Sequence, residues 1–179
     1  MDSIKNIITG GIITIFVGGA AFSFSQQDVI DNLASDTGLT AEQAEQYVNN
    51  IPEEDLASWD EIGAMYVSES ELTRASANEI DCINYEYEWE SNTLTCSQGK
   101  TQLVKIANTE KLLGQSYTKL SSDEATPDDM RTVIMYLNQL DSDYAHEVSL
   151  AVFGNAALEE IKMTNSYNKS LLKAALESN

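Results

Sequence analysis

Apolar residues recur at helical spacing through most of the chain, and this pattern predicts a mainly helical protein. Val29, Ile30 and Leu33 share one face of a first short helix. Thr40, with Gln43 three residues later, has the pattern of a capping box and marks the start of a second helix. We therefore expect a bundle of about five to six helices with one small antiparallel β-hairpin packed on its side.

The second half of the chain carries the strongest helix-start signal. Residues 126–129 read Thr-Pro-Asp-Asp, which combines an N-cap residue, proline at the first helical position and acids in the first turn. Further helices are expected at 109–120, 142–163 and 166–176. Residues 68–78 are polar and are expected to be a helix end passing into a connector.

The hydrophobic period changes to two residues between Ile83 and Trp89, which is typical of a half-buried strand. Residues 90–92 supply turn-forming side chains, and residues 93–95 can return as the partner strand of a hairpin. Residues 101–106 are a candidate third strand.

Tyr85, Tyr87 and Trp89 lie on one face of this predicted strand. Such a row is most often the core side of a strand. Rigid aromatic side chains are also good interface anchors, so these three residues are a candidate interaction surface. The glutamates between residues 86 and 90 form a ridge on the opposite face, which we interpret as solvated because no calcium-loop pattern accompanies it.

The only two cysteines, Cys82 and Cys96, bracket the predicted hairpin, and in an exported domain such a pair predicts a disulfide. In a regular two-stranded ladder the two residues would be too far apart, because a disulfide needs a Cα separation below about 7 Å. Cys82 must then precede the regular strand, or Cys96 must lie on a bent end.

An uncharged, largely apolar run, Ile7 to Phe24, has about the length that a membrane-spanning helix requires. We therefore divide the chain into residues 1–25, a signal peptide or an uncleaved transmembrane anchor, and residues 26–179, a single acidic domain. Cleavage would give a secreted protein. Retention would give a membrane-anchored one.

Small residues in this run favour its retention as a membrane anchor. Gly10, Thr14 and Gly18 recur every four residues and would form a helix-packing face. Lys5 precedes the apolar run and acids follow it. This asymmetry places the domain on the extracytoplasmic side, in a periplasm, a lumen or the cell exterior.

The net charge of −19 limits the kinds of partner that we expect this protein to bind. Removing residues 1–25 takes away one acid and one base, Asp2 and Lys5, so the charge of the remaining domain is unchanged. Such a domain repels phosphate backbones, which excludes nucleic-acid binding. Excess acid also serves solubility.

Few residues of the sequence are candidates for catalysis or metal binding. His146 is the sole histidine, so a site with two histidine ligands is impossible, and we expect a surface or boundary histidine rather than a general base. We expect no cofactor, metal site or catalytic constellation.

The sequence thus favours a non-catalytic interaction or structural subunit, a membrane-tethered accessory protein of a larger assembly. Its partners would be proteins, including other membrane subunits, and the membrane itself through residues 7–24. The alternative is a soluble exported protein that binds a small ligand or cation, or a carboxylate-dependent hydrolase.

Overall fold

A small sheet and seven helices make up the described part of the chain. The computed structural model describes residues 7–9, 11–51, 57–83 and 94–178, with residues 7–9 described by backbone alone. The helices are α1 (Gln26–Thr37), α2 (Ala41–Asn50), α3 (Trp59–Glu79), α4 (Cys96–Leu120), α5 (Pro127–Tyr144), α6 (Glu147–Phe153) and α7 (Asn155–Glu177).

The sheet is antiparallel and is formed by consecutive strands, β1 (Ile7–Thr9), β2 (Ile12–Val17) and β3 (Ala20–Ser25), which also lie in that order. Two-residue connections join the strands. Gly18 and Gly19, between β2 and β3, both have positive φ, 59° and 73°. A type I′ hairpin turn requires this conformation, and glycine adopts it without strain.

One face of β2 lies in the core, because Ile13, Ile15 and Val17 are all buried and alternate with more exposed neighbours. Two hydrogen bonds fix the sheet to the helices. The Trp59 indole Nε1 donates to the carbonyl oxygen of Phe16 at 2.8 Å. The Gly18 amide donates to the last carbonyl of α4, that of Leu120, at 3.1 Å.

The N-terminal segment is therefore not the helix that its length and hydrophobicity predicted. Thr14 lies in β2 and Gly18 in a turn, while Gly10 lies outside the described residues, so the predicted helix-packing face is wrong. Paired glycines allow tight turns, and β-branched residues suit strands whose inner face can be buried. Within the ranges that the structure describes, no helix is long and apolar enough to cross a membrane.

The predicted helix starts at Thr40 and Thr126 are confirmed. The Thr40 side chain accepts from the amide of Gln43, whose side chain accepts from the Thr40 amide in return. The Asp129 carboxylate accepts from the amide of Thr126 at 2.8 Å, with proline in the first turn. These caps satisfy amides that the first turn of a helix leaves without partners.

Helices α3 and α4 form a close antiparallel pair because glycines face each other across it. A Cβ atom at Gly63 would lie 2.8 Å from the carbonyl oxygen of Gly114, and one at Gly114 would lie 2.7 Å from that of Gly63. Beside this contact the rings of Trp59, Tyr117 and Tyr66 stack, with centroid separations of 5.7 and 5.9 Å. Larger residues at either glycine would separate the two helices.

Two predictions in the middle of the chain are wrong. Residues 68–78 continue α3, where Ser70, Thr73 and Ala77 are buried, so tertiary packing overrides their polar composition. Residues 101–106 belong to α4, not to a third strand. The predicted hairpin over residues 83–95 falls almost entirely outside the described residues and stays a prediction, whereas the small antiparallel element that is described lies at the N-terminus.

Helix α7 is buried over most of its C-terminal half. Every residue from Asn165 to Leu172 is buried, although five of these eight side chains are polar or charged. Buried polar side chains require partners. Tyr66 in α3 and Asp141 in α5 supply them for Asn165, whereas Ser170 donates to the carbonyl oxygen of Ser166 within α7.

Candidate functional site

The predicted disulfide between Cys82 and Cys96 is confirmed. The two sulfur atoms are 2.01 Å apart and the Cα atoms 5.7 Å apart. Cys82 lies just beyond the end of α3 and Cys96 is the first residue of α4, so neither cysteine sits in a regular strand. Because α3 and α4 pack closely, the end of α3 lies near the start of α4. The two cysteines are therefore within the distance that a disulfide needs, which they would not be in a regular two-stranded ladder.

We call the segment between the two cysteines, residues 82–96, the disulfide loop. Both of its ends are fixed. The Lys100 ammonium donates to the carbonyl oxygen of Ile80 at 3.1 Å, and the Ile83 amide donates to the Asp81 carboxylate at 3.0 Å.

Ile83 is the most exposed of the large apolar side chains in the described part of the chain, at 93 %. Tyr85, Tyr87 and Trp89, the candidate interaction surface, follow it along the loop but lie outside the described residues. Their role therefore stays a prediction. The structure adds an exposed apolar side chain, Ile83, at the start of the loop and a covalent closure at its base.

A cleft of about 310 Å³ lies at the start of α4. His146, which precedes α6, contributes to its wall and is exposed, as the sequence predicted. The described residues of this wall contribute hydroxyl, amide and imidazole groups. The lining residues of the cleft are Leu94, Ser97, Gln98, Thr101, Gln102 and His146.

The first cluster of buried ionisable groups surrounds Lys169 in α7. The Lys169 ammonium lies 2.7 Å from a carboxylate oxygen of Asp36 and 2.7 Å from one of Asp141, and it donates to Asn138 at 3.3 Å. Lys173, one turn further on, reaches the other oxygen of Asp36 at 3.1 Å. We call Lys169, Asp36 and Asp141 the Lys169 cluster, which joins α1, α5 and α7.

Attraction between opposite charges decides the protonation of this cluster. Burial favours the neutral forms, but hydrogen bonds and attraction between Lys169 and its carboxylates outweigh burial. The pKa of Lys169 is therefore raised and that of Asp36 lowered, so both groups keep their charges in the folded protein.

The second cluster surrounds Glu110 in α4, whose side chain is completely buried. The Tyr144 hydroxyl donates to one carboxyl oxygen of Glu110 at 2.7 Å. The Thr73 hydroxyl lies close enough to this carboxyl to lower its pKa, although neither it nor the second oxygen of Glu110 has the geometry of a formed hydrogen bond among the described residues. We call Glu110, Tyr144 and Thr73 the Glu110 cluster, which joins α3, α4 and α5.

Burial is the main reason why the pKa of Glu110 is raised, and the negative charge of Glu69 adds to it. The hydrogen bond from Tyr144 opposes this rise without cancelling it. Burial and the nearby Glu110 also raise the pKa of Tyr144. The carboxyl thus has neutral hydrogen-bonding neighbours where Lys169 has charged ones.

These buried groups hold helices together. Asp143 shows the same arrangement, because its side chain is buried and accepts from Lys105 in α4 at 2.7 Å. In the described residues, no group of three or more histidine, cysteine or acidic side chains is placed to share a metal ion. Sequence reasoning identified neither cluster, because their members are distant in the chain and lack a common spacing.

Comparisons with known proteins found no matching family model, no matching curated protein and no matching solved structure.

Proposed function

We propose that this protein is a non-catalytic interaction or structural subunit of a larger assembly, working outside the cytoplasm. The observation that carries the proposal is the disulfide loop, whose base is fixed and whose residue after Cys82, Ile83, is 93 % exposed. Disulfides form and persist in oxidising compartments, which supports the extracytoplasmic location. The partners are proteins.

Tyr85, Tyr87 and Trp89 are the proposed contact residues within the disulfide loop. Tyrosine and tryptophan bury large areas on binding at a low cost in conformational entropy, and they are enriched where binding energy is concentrated. Closing the loop at both ends reduces the entropy that it loses when a partner binds.

The proposal assigns no membrane-spanning helix to residues 7–24. That role depended on a helical segment, and those residues contribute strands whose inner side chains lie in the core.

The proposal is tested by tagging the full chain in its native host and quantifying the proteins that co-purify after chemical crosslinking. We expect a stoichiometric complex. Replacing Tyr85, Tyr87 and Trp89 by serine should reduce its recovery at least about tenfold, a change of roughly 1.4 kcal/mol in binding free energy.

The matched control replaces two exposed apolar residues outside the loop, Leu72 and Met135, by serine. This variant should keep the complex. Recovery of a lone domain from the native host, or equal loss in both variants, would overturn the proposal.

The alternative function, binding of a small ligand, is favoured by one observation, the cleft beside His146. It predicts that the protein released from its host is monomeric and carries a small molecule. Native mass spectrometry distinguishes the two functions, because it resolves a bound small molecule from a bound protein.

A further inference from the structure

The two cysteines of the disulfide differ in their exposure to solvent. Cys82 is exposed, and so are both of its neighbours in the chain, Asp81 and Ile83. Cys96 is only partly exposed, at the start of a helix that packs closely against α3. In thiol–disulfide exchange a thiolate attacks one of the two sulfur atoms, and access is one of the factors that decide which sulfur is attacked. A thiol in solution therefore reaches Cys82 more readily.

The surroundings of Cys96 favour a negative charge on its sulfur. Cys96 is the first residue of α4, a helix of 25 residues, and the N-cap Thr95 accepts from the amide of Gln98 at 3.2 Å. The N-terminus of a helix carries a partial positive charge, which stabilises a thiolate placed there. Lys100 lies one turn further on, on the same side of the helix as Cys96, and its ammonium remains near the disulfide because it donates to Ile80.

Acidic residues distinguish the two cysteines further. Of the seven described helices, α1, α2, α3, α5 and α6 carry an acid in the first turn, whereas α4 carries none. Glu79 and Asp81, in contrast, lie within three residues of Cys82. Repulsion between like charges makes a thiolate at Cys82 less favourable than one at Cys96. The more stable thiolate is the better leaving group.

We propose that Cys82 is a site of thiol–disulfide exchange, at which an incoming thiolate attacks and from which Cys96 departs. The thiolate forms a new S–S bond with the Cys82 sulfur, the old S–S bond breaks, and its electron pair stays on the Cys96 sulfur. A second thiolate then displaces Cys82 in the same way. Two external thiols are thereby oxidised to a disulfide, and the disulfide of the protein is reduced to two thiols.

The exchange opens the disulfide loop while the helices at its base stay packed. The contact between Gly63 and Gly114 and the bond from Lys100 to Ile80 join α3 and α4 without the disulfide. An open loop has more conformational entropy, so ordering it against a partner costs more free energy. Exchange at Cys82 therefore weakens partner binding by the loop. This consequence rests on the proposed interaction function, whereas the exchange itself does not.

The test exposes the folded wild-type chain briefly to 2-mercaptoethanol, an uncharged monothiol, and stops the reaction with an excess of an alkylating reagent. Mass spectrometry of the peptides then locates both products. We expect the mixed disulfide on Cys82 and the alkyl group on Cys96, at least about tenfold more often than the reverse. In urea, where the fold no longer distinguishes the two cysteines, most of this preference should disappear.

Three outcomes of this experiment would overturn the proposal. They are equal amounts of the two mixed disulfides, a mixed disulfide mainly on Cys96, and no reaction of the folded chain. The assay contains no partner protein, so its result does not depend on the interaction function of the loop.

A carboxylate placed in the first turn of α4 tests the role of Cys96 as the leaving group. Ser97→Glu introduces it at an exposed position next to Cys96, and acids are favourable in a first helical turn, so the variant should fold. Exchange should slow by at least about twofold, because the departing thiolate is destabilised. The matched control, Gln115→Glu, adds the same charge at an exposed position further along α4 and should react as the wild type does. Equal rates of the two variants would contradict the assignment of Cys96.

Discussion

The Lys169 cluster and the Glu110 cluster stabilise a buried ionisable side chain in opposite ways. Both place an ionisable side chain in the interior, where an isolated charge is costly. Lys169 keeps its charge because two carboxylates lie 2.7 Å from it. Glu110 lies against the neutral hydroxyl of Tyr144, and its pKa is raised towards the neutral form.

The difference shows that the neighbours of a buried ionisable group decide which of its protonation states the fold stabilises. In the Lys169 cluster, loss of the Lys169 charge leaves Asp141 without a cationic partner, while Asp36 keeps Lys173. In the Glu110 cluster the ionised form is the unfavourable one. The two clusters should therefore respond differently to mutation and to pH.

The largest effect is expected from Lys169→Met, which removes the cation between Asp36 and Asp141. Breaking a fully buried ion pair by deleting one partner costs about 3–5 kcal/mol. Here Asp36 and Asp141 are 19 % and 25 % exposed and Lys173 still pairs with Asp36, so we expect a loss of about 3 kcal/mol, at the lower end of that range. Urea denaturation near neutral pH should show a loss of this size in the free energy of unfolding. The exposed Lys111→Met on α4 is the matched control and should change stability by less than about 0.5 kcal/mol.

Acid should reduce the effect of Lys169→Met. The pKa of Asp36 is lowered in the fold, so its contribution is present above the ordinary carboxyl range and disappears as the pH falls through the folded value. The two denaturation curves should therefore approach each other as the pH falls below the ordinary aspartate value, about 3.9. A loss below about 1 kcal/mol near neutral pH would show that the cluster is not charge-paired as described.

An effect of intermediate size and opposite sign is expected from Glu110→Gln. A raised carboxyl pKa contributes stability fully below the unfolded value, about 4.3, and loses it as the pH rises through the folded value. Glutamine keeps the acceptor for Tyr144 and cannot ionise. The variant should be more stable than the wild type by about 1–3 kcal/mol at alkaline pH.

The comparison with Glu110→Gln requires a pH series rather than one condition. Near pH 4 the two proteins should differ little, and the gap should widen as the pH rises. Glu71→Gln, at an exposed position of α3, controls for the change in net charge. A glutamine variant that is destabilised at every pH would indicate that Glu110 acts as a paired carboxylate.

The smallest effect is expected from Lys173→Met. Its ammonium pairs with Asp36 at 3.1 Å, but the side chain is 33 % exposed, and Lys169 keeps Asp36 paired. Partly exposed pairs contribute about 0.2–1 kcal/mol. Thermal unfolding should place this variant close to the wild type, and added salt should shrink the difference further. A loss as large as that of Lys169→Met would make Lys173 an equal member of the cluster.

Local sequence signals were sufficient to predict helix starts and the disulfide. Thr40 with Gln43, and Thr126 before Pro127, identify helix starts because capping needs only a few neighbouring residues. The disulfide between Cys82 and Cys96 was predicted from there being two cysteines and from the expectation that the domain is exported. Its geometry did not follow, since that depends on how α3 and α4 pack.

The N-terminal segment was misread although its sequence held the correct signal. Gly10-Gly11 and Gly18-Gly19 are each the dipeptide expected in a two-residue hairpin turn, and they flank a run rich in isoleucine and threonine. Length and hydrophobicity outweighed these turn signals in the prediction. An uninterrupted apolar run fits both a membrane helix and a buried strand, so its period alone does not decide.

The sequence by itself determined the helical class, several helix starts and the cysteine pair, because each depends on composition or on neighbouring residues. Tertiary structure alone decided that the apolar N-terminal run forms a sheet. It also decided that Lys169 meets Asp36 and Asp141, and that Glu110 meets Tyr144. These contacts join residues far apart in the chain, and only packing of the helices brings them within hydrogen-bond distance.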